Sequence, residues 1–293
     1  MSKFPSQFLQ IIFTLVFSIL LTFPAIASEI TSKQPVTKTN IPATELNKVE
    51  NNKSAATLLD ELAIKAITAT NKGDFAEAEI QWTEIIKAFP DNAPAWSNRG
   101  NAKSSQNRLF EAIADYNKAV ELAPFAPDPY LNRGAAFQAL NKTDEAIADY
   151  NKVLELDPQD PDAYNNRGNA LASLGKWQEA MVDYKEAFEI EPNYAFARAN
   201  YALALYESGD VKQAEKTMKN LLRKYPDFVD MRAALTAILW EQKRTGEAES
   251  NWVSVTKVDP RYQDIEWVTK IRRWPPTISN ALASFLKFEP KKS

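Results

Sequence analysis

The chain has no histidine and no cysteine in 293 residues. Ser-His-Asp and Cys-His nucleophilic catalysis are thereby excluded, together with the usual zinc sites. The side chain best suited to moving protons near neutral pH is missing as well. Only 7 glycines are present, and they form no glycine-rich phosphate loop of either standard kind. No basic run is longer than a pair such as Arg272-Arg273, and acids outnumber bases by 38 to 35. Nucleic acid is therefore not an expected partner. Carboxylates such as Glu145, Asp149 and Glu155 read as a solvated helix surface. No catalytic residue, cofactor or metal site is expected, and the protein reads as a non-enzyme. The lack of cysteine leaves the compartment open, because a helical core of this size needs no disulfide.

What is present is periodic. Pro90, Pro124, Pro158, Pro192, Pro226 and Pro260 follow one another at a constant step of 34 residues. Ala78, Ala112, Ala146, Ala180, Ala214 and Ala248 keep the same step twelve residues earlier. Four residues after each alanine stands a large side chain: Trp82, Tyr116, Tyr150, Tyr184, Met218 and Trp252. A period of this length marks a stacked-repeat architecture. Small residues allow two helix axes to approach, and large ones fill the space around the crossing. Each proline ends a second helix that it cannot continue. Gly73, Gly175 and Gly209 fall in the turn within a repeat, where a left-handed residue is easiest.

The length and pattern resemble the tetratricopeptide repeat (TPR). The repeats run 59–92, 93–126, 127–160, 161–194, 195–228 and 229–262. The third shows the pattern well, from Pro127-Asp-Pro-Tyr-Leu-Asn-Arg-Gly through Glu145-Ala-Ile-Ala-Asp-Tyr to Pro158. The resemblance implies an all-α fold, a right-handed TPR solenoid of six 34-residue helix-turn-helix repeats plus C-terminal capping helices. It implies a protein or peptide partner rather than a substrate.

Residues 1–27 have the form of a secretory signal peptide. Lys3 is the only charge before Glu29, residues 8–23 are almost wholly apolar, and Ala25-Ile26-Ala27 offers a small-x-small cleavage site. An uncleaved anchor is the other reading, but sixteen residues are short for a span, and no stable membrane span is expected after processing. Without twin arginines or a lipoprotein cysteine, a Sec-type route to the periplasm, thylakoid lumen or exterior is expected. Residues 28–54 are polar and read as a flexible linker, with helical pattern from Ala55.

Residues 263–293 keep helical spacing at Trp267, Ile271 and Trp274, then break at Pro275-Pro276. Ile278, Ala281, Leu282, Phe285 and Leu286 form one apolar stripe, expected to cover the last repeat. The alternative makes Arg272-Arg273-Trp274-Pro275-Pro276 a docking motif. This tail resembles the ending of exported TPR proteins of cyanobacteria and the chloroplast lumen, which suggests a role in assembling a photosynthetic-membrane complex.

In TPR arrays, positions 2, 5, 6, 9, 12 and 13 of the first helix line the concave groove. Position 6 reads Asn98, Asn132, Asn166 and Asn200 in four successive repeats. Each amide can pair with both polar groups of a peptide backbone, and the row resembles the asparagine ladder in the TPR superhelix of O-GlcNAc transferase. Bonding to a neighbouring repeat is the competing role. Position 2 carries acids, Asp128 and Asp162 among them. TPR clamps for chaperone tails use lysine there, so the sign here suits a basic peptide instead. Phe196, Tyr206 and Trp240 give the groove an aromatic end, although for Trp240 packing on the C-terminal helices is the favoured reading. Finally, position 7 is Arg99, Arg133 and Arg167 in the repeats whose position 23 is Asp115, Asp149 and Asp183. An arginine–aspartate bridge between first and second helices is predicted, against shared ancestry or a groove role. The sequence thus reads as a non-catalytic binding scaffold. An accessory subunit of an enzyme complex and a self-associating spacer are the alternatives.

Overall fold

The computed structural model describes residues 43–288, with side chains from residue 54 onward. The expected signal peptide and residues 28–42 of the expected linker lie outside these residues. Every regular element described is helical. The chain divides into two compact units at Leu140 and Asn141, in the turn of the third repeat.

The first unit contains α1 (Ala43–Asn71), α2 (Phe75–Ala88), α3 (Ala93–Ser105), α4 (Leu109–Leu122) and α5 (Pro127–Ala139). The second contains α6 (Thr143–Leu156), α7 (Pro161–Ser173), α8 (Trp177–Ile190), α9 (Ala195–Glu207), α10 (Val211–Lys224), α11 (Val229–Glu241) and α12 (Thr245–Val258). After a 3-10 turn at Pro260–Gln263 come α13 (Ile265–Lys270) and α14 (Pro276–Phe288). Helix α1 begins twelve residues before Ala55, so residues 43–54 are helix and not linker. The polar composition gave no burial signal there. A helix nucleated by its packed C-terminal half extends at the gain of one backbone bond per residue.

The periodic residues occupy the helix crossings. All six step-alanines are fully buried, and the six large residues four places on are at most 7% exposed. Position 8 decides how close the helices come. A Cβ on Gly100 would sit 2.6 Å from the Tyr116 ring, and one on Gly168 would sit 2.7 Å from that of Tyr184. Those tyrosines donate onward to Asn101 Oδ1 (2.8 Å) and Asn169 Oδ1 (2.9 Å) at position 9. The turn inside each repeat places its fifteenth residue at positive φ in all six cases. Gly73, Gly175 and Gly209 do so as expected, and Asn107, Asn141 and Lys243 do so without glycine. Asparagine tolerates that region by local hydrogen bonding; lysine has no such device.

Candidate functional site

The first helix of each repeat carries the residues expected to meet a partner. In the first unit these are Asn98 on α3 and Asn132 and Asp128 on α5. Asn98 is half-buried and Asn132 only 8% exposed, and neither side chain makes a hydrogen bond to protein among the described residues; Asp128 is exposed and has no ion pair there. Although the residue as a whole is exposed, the protein around its carboxyl keeps some water from it and pushes the Asp128 pKa up.

The second unit treats the equivalent positions differently. Asn200 donates its amide to Asn165 Oδ1 (3.0 Å) and Asn169 Oδ1 (3.1 Å) of the preceding repeat. Asn166 accepts a long bond from Asn165 (3.4 Å). The four-rung ladder is therefore corrected at Asn200, where the amide is used to hold two repeats together.

Position 2 is also engaged from within. Tyr194 donates its hydroxyl to Asp162 (2.5 Å), and Tyr262 donates to Asp230. Both tyrosines stand at position 34 of the same repeat as their aspartate. In the repeat between them, the same two positions are Phe196 and Phe228, whose rings meet edge to face at 5.7 Å. Burial first, and the adjacent carboxylates second, push the Tyr194 and Tyr262 hydroxyls well above their usual range. They stay protonated donors. Asp162 and Phe196 are thus parts of internal pairs and not open groove residues, which corrects their assignment. The signal existed in the sequence: positions 2 and 34 change together from Asp/Tyr to Phe/Phe and back.

The aromatic end is covered by the chain itself. Helix α14 packs across α11 and α9, the first helices of the last two repeats. Its Phe285 meets Trp240 edge to face at 5.5 Å, and Phe288 lies over the same indole at 5.5 Å. Tyr206 is 4% exposed and donates to Glu241. Neither ring is an exposed anchor. An apolar stripe on α14 and an apolar first-helix face bury each other, and Ile278, Leu282 and Phe285 are at most 2% exposed. Glu207 receives the N-terminus of α14, accepting from the backbone N–H of Thr277 (3.2 Å) and Ile278 (2.9 Å).

The segment before α14 closes on Asp230. Arg272 grips its carboxylate with two donors, and Trp274 Nε1 donates to Oδ1 at 3.2 Å. The Tyr262 ring lies 5.8 Å from Trp274 and 5.2 Å from Trp267. The Trp-Pro-Pro segment therefore docks on its own chain, with Trp274 only 6% exposed.

The position-7 arginines are structural junctions. Arg99 closes a fork on Asp115 (Nε–Oδ2 2.8 Å, Nη2–Oδ1 2.7 Å), and Arg167 closes one on Asp183 with the same lengths. The remaining Nη1 reaches position 25 of the preceding repeat. Arg133 donates there to Asn117 (2.8 Å) and Arg167 to Asn151 (2.7 Å), with a longer contact from Arg99 to Thr83 (3.4 Å). Each guanidinium also lies over the position-4 ring: Trp96 at 4.7 Å, Tyr130 at 5.4 Å and Tyr164 at 5.6 Å. The bridge expected from the sequence is present in the second and fourth repeats. Its third arm, joining neighbouring repeats, was not foreseen.

No group of three or more acidic residues positioned to hold a metal occurs among the described residues. No described helix is long and apolar enough to cross a membrane.

Models of the tetratricopeptide repeat match residues 100–141, 137–175, 161–194 and 201–256. Hsp70-Hsp90 organizing protein 2 of Arabidopsis thaliana is 39% identical over 67 residues, which is 23% of this chain and 12% of that protein. A solved tetratricopeptide repeat protein of Parabacteroides merdae superposes with a TM-score of 0.58 at 19% identity, over 79% of this chain and 98% of that one. YrrB, described as a TPR protein with an unusual peptide-binding site, gives 0.51 at 22% identity, over 61% and 92%. Matched by these models over just over half of its length, the chain belongs to the tetratricopeptide repeat family of protein-interaction scaffolds.

Proposed function

We propose that the protein is an exported scaffold that holds an extended segment of a partner protein against the first helices of its first unit. The observation that carries this reading is the unequal use of the position-6 asparagines. Asn98 and Asn132 make no bond to protein among the described residues, whereas Asn200 is engaged by its neighbours. A peptide backbone supplies both the donor and the acceptor that an amide needs. Asp128 gives the site its preference. A carboxylate whose charge is disfavoured by burial gains from an added cation, so a lysine or arginine of the partner is favoured there. The relative in Arabidopsis is named for organising two chaperones. The acids at position 2 argue against capture of a terminal carboxylate by this chain.

Crosslinking and recovery of the mature protein from its own organism identifies the partner. Replacing Asn98 and Asn132 together with alanine should then weaken binding about ten-fold or more, at roughly 1 kcal/mol for each lost hydrogen bond. Undiminished affinity with an unchanged melting curve retires this face as the site. Export rests on residues 1–27 and the tail resemblance. Mass spectrometry should find Ser28 near the mature N-terminus, while intact Met1 in a membrane fraction would make the protein an anchored one. Assembly of a complex outside the cytosol follows if the partner is a subunit of such a complex.

A further inference from the structure

The arginine junction ends with the fourth repeat, and the sixth repeat, which also lacks it, borders a cleft. Position 7 is Leu235 and position 23 is Asn251 in that repeat. Neither the fork nor its aspartate exists. Between α10, α11 and α12 lies a cleft of about 710 Å³ at this place. Lys212, Lys216, Lys219, Arg223 and Arg232 line it, against a single acid, Glu215.

That acid is already matched. Lys219 Nζ (2.6 Å), Arg244 Nη1 (2.7 Å) and Gln242 Nε2 (2.9 Å) all reach it. Lys212 and Lys216 have no ion pair among the described residues. Among the described residues, Arg232 donates only to neutral oxygens, Pro226 O (2.6 Å) and Asn251 Oδ1 (3.4 Å). The cleft therefore carries a surplus of uncompensated positive charge.

The first unit supplies an internal control. Glu79 at position 21 is held by Gln106 (2.9 Å) and Arg108 (2.6 Å), the same positions that hold Glu215. The cleft beside it, about 490 Å³, balances Glu79 and Glu84 against Lys87 and Arg108. The architecture is shared and the charge is not.

We propose that the cleft of the sixth repeat binds an acidic, extended protein segment. Lys212, Lys216, Lys219 and Arg223 are spaced i, i+4, i+7 and i+11 along α10, which is one stripe of about 16 Å at 1.5 Å per residue. An extended chain of about five residues covers that length, and its alternate carboxylates recur about every 6.6 Å, close to the spacing of successive cations. A compact anion contacts only one step of such a stripe. A concave site also disfavours a flat anionic surface. This site lies on the second helix of the fifth repeat and is independent of the first-helix face proposed above.

The test uses the chain from Ser28 to Ser293 and a fluorescent hexapeptide alternating glutamate and serine, followed by anisotropy at low salt. Saturable binding that weakens steeply with salt is expected. Lys212→Gln with Lys216→Gln and Arg223→Gln should reduce affinity at least ten-fold at unchanged melting temperature. A second variant, Leu235→Arg with Asn251→Asp, rebuilds the junction seen in the second and fourth repeats and should also reduce binding. Equal affinity of the wild type and the triple variant overturns the proposal. So does inorganic phosphate displacing the peptide at equal charge concentration, which would make the site a compact-anion site. Binding to phosphatidylglycerol vesicles without binding to the peptide would assign the cleft to a membrane surface and equally overturn it.

Discussion

In the second and fourth repeats, an arginine at position 7 closes its fork on an aspartate of the second helix, and a tyrosine presses against a glycine. In the fifth and sixth repeats, position 7 is Tyr201 and Leu235, and their surroundings form one apolar cluster that runs on into α14. Both designs join helices into hairpins and hairpins into stacks. They differ in what they leave over. A two-bond fork fixes distance and direction and satisfies each polar group it buries. Apolar packing fixes neither with the same strictness, but it offers a surface on which a further helix can settle. The ordered stack comes from the polar design, and both the covered first-helix face and the basic cleft come from the apolar one.

Removing α14 is the strongest way to break this comparison. Truncation after Pro275 exposes the partners of Ile278, Leu282 and Phe285, each at most 2% exposed. At about 1.5–3 kcal/mol for each fully buried side chain, the last two repeats should lose roughly 5–9 kcal/mol and melt separately. Denaturant unfolding followed by tryptophan fluorescence should show an added early transition, because repeat arrays unfold by local units. A single unchanged transition would mean that the apolar repeats stand without their cover.

The fork is tested by a double-mutant cycle on Arg167 and Asp183, with alanine at each. The pair is 24% and 4% exposed at its side chains, so a coupling of about 1 kcal/mol is expected, above the roughly 0.5 kcal/mol seen for independent sites. Additive effects would mean that the fork is an accompaniment to packing and not a cause of it.

The acid limb of stability sharpens the contrast at Glu215. Burial pushes its pKa up, but hydrogen bonds from Lys219, Gln242 and Arg244 outweigh this and hold it at about 2. A folded pKa below the ordinary glutamate value of 4.5 gives stability that is fully present above about pH 4.5 and lost as pH falls toward 2. Glu215→Gln should flatten that part of the pH–stability curve. An unchanged slope would show that the cations around Glu215 do not favour its charged form.

The smallest effect is expected at Lys243, whose φ of 63° stands where three other repeats have glycine. Lys243→Gly should stabilise the chain by about 0.5–1 kcal/mol, since a left-handed non-glycine residue costs about 1–2 kcal/mol and glycine returns part of that as backbone entropy. A fall in the thermal midpoint would mean that the lysine side chain compensates its own backbone.

Much of the fold was legible because it depends on residue size at a fixed period. The buried alanines, the large residues opposite them and the terminating prolines follow from the sequence alone. So does the pairing of Arg99 with Asp115 and of Arg167 with Asp183, because charge and position vary together along the chain. The candidate site was less legible. Asn98, Asn132, Asn166 and Asn200 look alike in sequence, but an amide has the same chemistry whether a neighbour or a ligand takes it. Only the placement of Asn165 and Asn169 next to Asn200 separates the rungs. Tyr206 and Trp240 were placed correctly on the first-helix face, and packing of Trp240 on the C-terminal helices was expected, but nothing in the spacing of Tyr206 says that the chain closes over it too. That depends on where Asp230 holds Arg272 and Trp274, a contact across more than forty residues. Periodicity is a local property and can be read along one chain. Which side chain meets which donor after the chain turns back is a property of three dimensions, and here it decided which groove residues stay open and where the uncompensated charge collects.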